Sequence, residues 1–260
     1  MKDVVKMKKV KRLLKLPKVK GCFQDYDFDY LYLLLGLLYD VEHIIRKPSD
    51  FSNITKYLMK NGMSVDEIMS KVTNIAQYMF YDVNILKEVV IPANIRRIEC
   101  GAFNCCKELE QVSFDEGNHV EIVDFIAFAD CHKLKKIDFG NCNHLSEIDV
   151  YSFSACRNLT DLVLPPNLKS IDGFESCSGL TEIVLPSTVE IIQGGAFNNC
   201  TELKSITIPS SVKFIGRNAF GNCVNLNDVY YQGTKEQWEK ICFGKYCGEI
   251  LNANIHVLNN

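Results

Sequence analysis

Twelve cysteines and five histidines are the residues of this 260-residue sequence best suited to bind a metal or attack a substrate. Zinc sites pair closely spaced ligands, such as C-x-x-C with a second pair at a fixed distance. The nearest approach to that pattern is Cys131-His132 with Cys142 and His144, while His43, His119 and His256 stand apart. A nucleophile needs a base beside it, and no spacing here supplies one. No Gly-rich phosphate loop, G-x-S-x-G or H-E-x-x-H is present. No catalytic residue, metal ligand or cofactor is expected, and the chain reads as a non-enzyme.

The cysteines recur for another reason. Phe103, Phe128, Phe153, Phe174, Phe197 and Phe220 each stand three residues before a cysteine: Cys106, Cys131, Cys156, Cys177, Cys200 and Cys223. Three residues further on come Leu109, Leu134, Leu159, Leu180, Leu203 and Leu226. Counted from Leu86, the six copies of F-x-x-C-x-x-L run 23, 25, 25, 21, 23 and 23 residues. Such a period marks stacked units that bury a shared core. Cysteine suits a ladder of this kind as a small buried hydrophobe. Cys105, Cys142, Cys242 and Cys247 fall outside it and are candidates for exposed thiols.

Each copy changes period within itself. Leu203-Lys-Ser-Ile-Thr-Ile-Pro209 and Leu180-Thr-Glu-Ile-Val-Leu-Pro186 alternate as a strand does, and a proline stops the strand because it has no N–H to donate. A second apolar pair follows, such as Val212 and Ile215. The A-F-x-x-C-x-x-L segment has the spacing of a single helical or 3₁₀ turn. The pattern L-x-x-I-x-I-P-x-x-V-x-x-I-x-x-x-A-F-x-x-C-x-x, over roughly Leu86 to Leu226, resembles the 23-residue BspA-like leucine-rich repeat of bacteria. Val229-Tyr230-Tyr231-x-Gly233-Thr234 with Trp238, ending in Ala253-Asn254-Ile255-His256, is similar to the terminal unit of such proteins. The resemblance implies surface adhesins that bind host or matrix proteins.

The expected fold is an α/β solenoid with one short strand per repeat in a parallel sheet, a helical N-terminal cap and a short C-terminal cap. Its parts are a basic tail (1–24), a helical cap domain (25–85), a six-repeat solenoid (86–229) and a C-terminal cap (230–260). In the cap domain, helices are expected over 27–46, 51–60 and 65–80. Ser64-Val-Asp-Glu67 forms a capping box, and Val65, Ile68, Met69, Val72, Ile75, Ala76, Met79 and Phe80 make a helical stripe. Phe80, Val83 and Leu86 keep the ladder spacing, so this helix would dock as a degenerate zeroth repeat. Thr234-Lys-Glu-Gln237 is a second capping box, opening a short plug helix with Trp238 and Ile241.

Charge divides the chain. Residues 1–20 hold nine Lys/Arg and one Asp, a net +8; the other 240 residues hold 20 basic and 31 acidic groups, a net −11. A tail of this kind could meet nucleic acid or an anionic membrane, but a solvated tail is the preferred reading. No secretory signal is visible, and the apolar run from Leu31 to Tyr39 is too short to span a bilayer. A cytoplasmic protein with no transmembrane segment is therefore expected, its cysteines reduced.

Side chains flanking the inward strand residues point out onto the sheet face. One outward column reads Glu88, Gln111, Lys136, Asp161, Glu182, Ser205 and Asp228. The other reads Val90, Ser113, Asp138, Val163, Val184, Thr207 and Tyr230. Seven strands about 4.8 Å apart would give a continuous face roughly 30 Å across. The candidate partner-binding residues are Glu88, Val90, Asp138, Asp161, Val163, Glu182, Val184, Asp228 and Tyr230. The leading function is a protein-interaction scaffold that binds a protein partner on this face. The alternatives are a nucleic-acid-associated regulator that uses the basic tail and helical domain, and a surface adhesin-like protein.

Overall fold

The computed structural model describes residues 73–258 apart from Ala76 and Ile85. The expected basic tail, the helices over 27–46 and 51–60, and the Ser64 capping box lie outside the described residues.

Every strand pairing among the described residues is parallel and joins one coil to the next. Each coil holds two strands, not the single strand expected. The first lies in the L-x-x-I-x-I stretch: β2 (Glu88–Ile91), β4 (Gln111–Phe114), β6 (Lys136–Asp138) and β8 (Asp161–Val163) form one four-stranded sheet. β10 (Glu182–Val184), β12 (Ser205–Pro209), β14 (Asp228–Gln232) and β16 (Asn254–Val257) form another. The second strand is only two residues long and falls at the later apolar pair. Among the described residues it recurs eight times in one unbroken sheet: β1 (Asn74–Ile75), β3 (Arg97–Ile98), β5 (Ile122–Val123), β7 (Glu147–Ile148), β9 (Ser170–Ile171), β11 (Ile191–Ile192), β13 (Phe214–Ile215) and β15 (Cys242–Phe243). A two-residue strand has no visible period, so alternation along the sequence could not reveal it.

The Phe-Cys corner forms the third side, and it is not a helical turn. Residues two before the phenylalanine (Gly101, Ile126, Tyr151, Gly195, Asn218) and two after it (Cys105, Asp130, Ala155, Ser176, Asn199, Asn222) have positive φ. Left-handed residues on both sides break any run of helical dihedrals. They also leave the phenylalanine N–H pointing along the solenoid axis. Phe80, Phe103, Phe128, Phe153, Phe174 and Phe197 donate to Ala102, Ala127, Ser152, Gly173, Ala196 and Ala219 of the next coil at 2.7–3.0 Å. The rings stack from Phe80 to Phe220 with centroids 4.8–5.8 Å apart and planes within 18°. That spacing is close to the strand separation, so ring stack and sheets share one repeat distance.

Phe80 heads the ring stack, as the zeroth-repeat spacing implies. It does so from a coil, not from a helix. Asn74–Ile75 is a strand paired with Arg97–Ile98, and residues 77–82 form turns, so the described part of the expected 65–80 helix is replaced. Ile75 and Phe80 fit a helical stripe, yet their separation of five is also that of Ile98 and Phe103, and pairing with the next coil decides between the two.

At the other end, β14, β15 and β16 carry the ladders on to Val257. The capping box forms as expected at the start of helix α1 (Lys235–Trp238). Thr234 Oγ1 accepts from the Gln237 N–H at 3.3 Å, and Gln237 Oε1 accepts from the Thr234 N–H at 2.9 Å. Trp238 packs edge-on against Tyr231 and Phe243, and a second short helix, α2 (Gly248–Asn252), buries Ile250.

Candidate functional site

The two outward columns lie in register. Glu88 pairs with Gln111, Gln111 with Lys136 and Lys136 with Asp161; Val90, Ser113, Asp138 and Val163 follow in the same way. Glu182, Ser205 and Asp228 align beyond, as do Val184, Thr207 and Tyr230. The expected continuous face is interrupted, because β8 and β10 do not pair and the eight strands form two sheets of four. The break coincides with the 21-residue copy. Ile171 precedes Phe174 by three positions where Ile192 precedes Phe197 by five, so this coil is shorter at the corner. Gly173 makes that corner with φ 91°, and a Cβ there would lie 2.6 Å from the Asp149 carbonyl oxygen. The two-residue strands remain paired through this point, and the break falls on the other side.

Exposure concentrates at the break. Asp161, Val163, Glu182 and Val184 are all exposed, Val163 at 45% and Val184 at 65%. Glu88, Val90, Asp138 and Asp228 are half-buried, and Tyr230 is exposed at the far end. Leu162, the inward residue of β8, is only partly buried, whereas its counterparts Val112, Ile137 and Ile206 are fully buried.

Six pairs of opposite charges meet across a coil boundary among the described residues. Lys133 meets Glu108 at 2.8 Å, Lys135 meets Glu110 at 3.1 Å and Lys213 meets Glu190 at 2.6 Å. Arg97 donates two hydrogen bonds to Asp124, which holds its guanidinium above the ordinary range. Among the nine candidates, Asp138 accepts from the Gly140 N–H and Asp228 meets His256 at 2.7 Å. Among the described residues, no ion pair or hydrogen bond reaches the Asp161 or Glu182 side chain. Among the described residues, the break therefore presents two exposed carboxylates without an ion pair, Asp161 with Lys136 as its register neighbour, and two exposed valines.

The C-terminal edge of the face holds a feature that column reading missed. His256 on β16 sits beside Tyr230, their rings stacked 4.9 Å apart, while its Nε2 meets Asp228. The signal was the Ile255-His256 alternation, which extends both columns by one strand, through Asn254 and His256.

The structure does not bring the metal-like cluster together. Cys131 is buried in the core and its thiol donates to the Phe103 carbonyl at 3.2 Å. Cys142 is buried too, and burial pushes its thiol up to about 12. His132 meets Asp130 at 3.3 Å, while His144 stacks on His119 with centroids 5.2 Å apart. Among the described residues, no group of three or more His, Cys, Asp or Glu is placed to hold a metal ion. Of the cysteines outside the ladder, Cys247 is buried, Cys105 half-buried and Cys242 exposed.

The BspA type leucine rich repeat region matches residues 73–173 and 172–257, in six copies. No curated protein sequence matches significantly. A T. pallidum leucine rich repeat protein is 31% identical with a TM-score of 0.53, over 60% of this chain and 72% of that one. A leucine-rich repeat protein from Bacteroides ovatus is 20% identical with a TM-score of 0.47, over 72% of this chain and 59% of that one. The pneumococcal vaccine antigen PcpA is 15% identical with a TM-score of 0.43, over 73% and 74% of the two chains. None of these comparisons supports the cytoplasmic location expected from the sequence, and no helix among the described residues is long and apolar enough to cross a membrane. The repeat match extends over most of the chain, and with the stacked parallel coils it makes this protein a member of the BspA-type leucine-rich repeat family.

Proposed function

We propose that the protein is a non-enzymatic scaffold that binds a protein partner on the outward strand face, centred on Asp161, Val163, Glu182 and Val184. The observation that carries this reading is the exposure of Asp161 and Val163 on β8 and of Glu182 and Val184 on β10, on either side of the break in the strand ladder, with no ion pair to either carboxylate among the described residues. Exposed apolar side chains ringed by charge are a common mark of an interface. Carboxylates that no ion pair or hydrogen bond reaches among the described residues can take opposite charge from a partner. The fitting partner is an extended segment that carries Lys or Arg beside aliphatic residues. Its basic groups would meet Asp161 and Glu182 and its apolar groups Val163 and Val184. Glu88, Val90, Asp138, Asp228 and Tyr230 would form the flanks.

The test is affinity capture from the native host with the full chain and its Asp161→Lys/Glu182→Lys variant, read by quantitative mass spectrometry. Both positions are exposed, so the variant should melt within a few degrees of the parent. Proteins enriched by the parent should fall at least tenfold in the variant. Equal enrichment by the two would sink the reading.

A further inference from the structure

We propose that the Phe-Cys corner of the first described coils is a second docking surface, which takes a protein segment that lays arginines over the rings of Tyr78, Tyr81, Phe125 and Tyr151. It lies on a different side of the coil from the strand face and serves a different partner. All four rings are exposed, between 40% and 52%. They form two edge-on pairs: Tyr78 meets Tyr81 and Phe125 meets Tyr151, each with centroids 6.0 Å apart. An edge-on contact leaves a ring face open, and the face of an aromatic ring attracts a cation.

The far end of the solenoid shows what such a corner ring accepts. Tyr78, Tyr151 and Tyr246 share one left-handed corner position, at φ 54°, 57° and 61°. The Asn218 N–H donates to the Lys245 carbonyl as the Gly101 N–H does to Phe125, which sets Tyr246 in that place. There Arg217 of the preceding coil covers the ring, its guanidinium carbon 5.0 Å from the centroid. Phe125 stands where Arg217 stands, three residues before the ladder phenylalanine of the coil preceding Tyr151. The chain's own arginine thus fills the seat at one end, and at the other a second ring leaves it to a guanidinium from outside. Nearby basic groups are engaged: Lys107 meets Asp82 at 3.9 Å, Arg97 meets Asp124 at 2.7 Å and His132 meets Asp130 at 3.3 Å. Those carboxylates already have partners, so the rings select the ligand. A flat, weakly hydrated guanidinium stacks on a ring better than an ammonium does, which favours arginine over lysine. Tyr78 lies over Gly101, where a Cβ would overlap its ring. The two pairs begin two coils apart, about 10 Å along the axis. A polyproline segment has three residues per turn and rises about 3.1 Å per residue, so arginines at i and i+3 lie on one side about 9 Å apart.

Titration of two fluorescein-labelled peptides with the full chain, read by anisotropy, tests this. One peptide carries Arg-Pro-Pro-Arg and the other Lys-Pro-Pro-Lys. The arginine peptide should bind at least about threefold tighter than its lysine counterpart. The Phe125→Leu/Tyr151→Leu variant keeps apolar side chains but loses two ring faces, and because both positions are exposed it should melt within a few degrees of the parent. In it the arginine peptide should weaken at least about threefold, with the lysine peptide unchanged. Tyr151→Phe, which keeps the ring, should retain the preference for arginine. So should the Asp161→Lys/Glu182→Lys variant, because the ratio of the two affinities cancels its general change of charge. Equal affinity for the two peptides, no binding of either at millimolar concentration, or an arginine preference untouched by the leucine variant overturns the proposal. Loss of the preference in the Asp161→Lys/Glu182→Lys variant would place the peptide on the strand face and overturn it too. A dimer of the peptide-free chain that the leucine variant abolishes would make a second copy the occupant, and would also overturn it.

Discussion

The Phe103 carbonyl has two lone pairs, and two donors meet them. The Cys106 N–H reaches the Phe103 carbonyl from within its own coil, and the Cys131 thiol reaches it from the next. The same thiol contact recurs at Cys106, Cys156, Cys177, Cys200 and Cys223, at 3.0–3.3 Å. Cysteine thus joins small volume to a weak donor, which alanine cannot do. Burial raises these thiols well above their ordinary value, and only the thiolate reacts. Among the described cysteines, brief alkylation of the native chain, mapped by mass spectrometry, should therefore label Cys242 first and Cys100 and Cys105 more slowly. The six ladder cysteines should react only in denaturant; labelling of Cys177 or Cys200 in the native chain would contradict this. Asp172 offers a second test at this scale. Burial, with Asp149 and Glu175 nearby, raises its carboxyl to about 6 although the Gly173 N–H donates to it. Its folded value exceeds its unfolded one, so its contribution is full below about pH 4 and is lost as pH rises through about 6. Asp172→Asn should flatten that slope and raise Tm at pH 7 by a few degrees. An unchanged Tm–pH profile would count against the burial argument. The ladder positions of the cysteines are legible in the sequence from their period alone. The carbonyl each one serves is not, because it lies 24–28 residues away in the chain.

The coil is the element of this fold, and its sides differ in how far the sequence reveals them. The three- to five-residue strands alternate, so the columns of outward residues are legible from the sequence alone. The two-residue strands and the left-handed Phe corner are not, since neither has a local period and both are fixed by bonds to the next coil. The helical expectation for residues 73–80 failed for the same reason. The break between β8 and β10 has a sequence signal, the 21-residue copy, but copy length alone does not say which side of the coil loses its pairing. Gly173 marks the corner that absorbs the shortening. Gly173→Ala would put a Cβ against the Asp149 carbonyl at a positive φ, at a cost on the order of 2 kcal/mol or more. Gly117 also has positive φ, but nothing lies within reach of a Cβ there, so Gly117→Ala should cost less. Urea titration of the two variants compares them directly, and equal midpoints would contradict the packing at Gly173. Phe153 stacks between Phe128 and Phe174 in the middle of the ring ladder. Truncating it to alanine should cost about 3–5 kcal/mol in the same titration.

At the scale of the whole molecule, stability and recognition draw on different sides of one solenoid. Each coil contacts only its neighbours, so core energy accumulates along the axis and each coil's outward face is free to vary. The Phe corner illustrates this. It exposes Tyr78, Tyr81, Phe125 and Tyr151 over the first coils and carries amide ladders, Asn198 to Asn218 and Asn199 to Asn222, over the last. The strand face varies in another way, with exposed valines, and carboxylates without an ion pair among the described residues, on either side of the point where its ladder is cut. The central claim is that a partner reads that location. Hydrogen–deuterium exchange of the full chain, alone and with the captured partner, tests it most directly. The account predicts added protection at residues 160–164 and 181–185, with the Phe-Cys corners unchanged. Protection confined to the Phe-Cys corners, with none on β8 or β10, would contradict it.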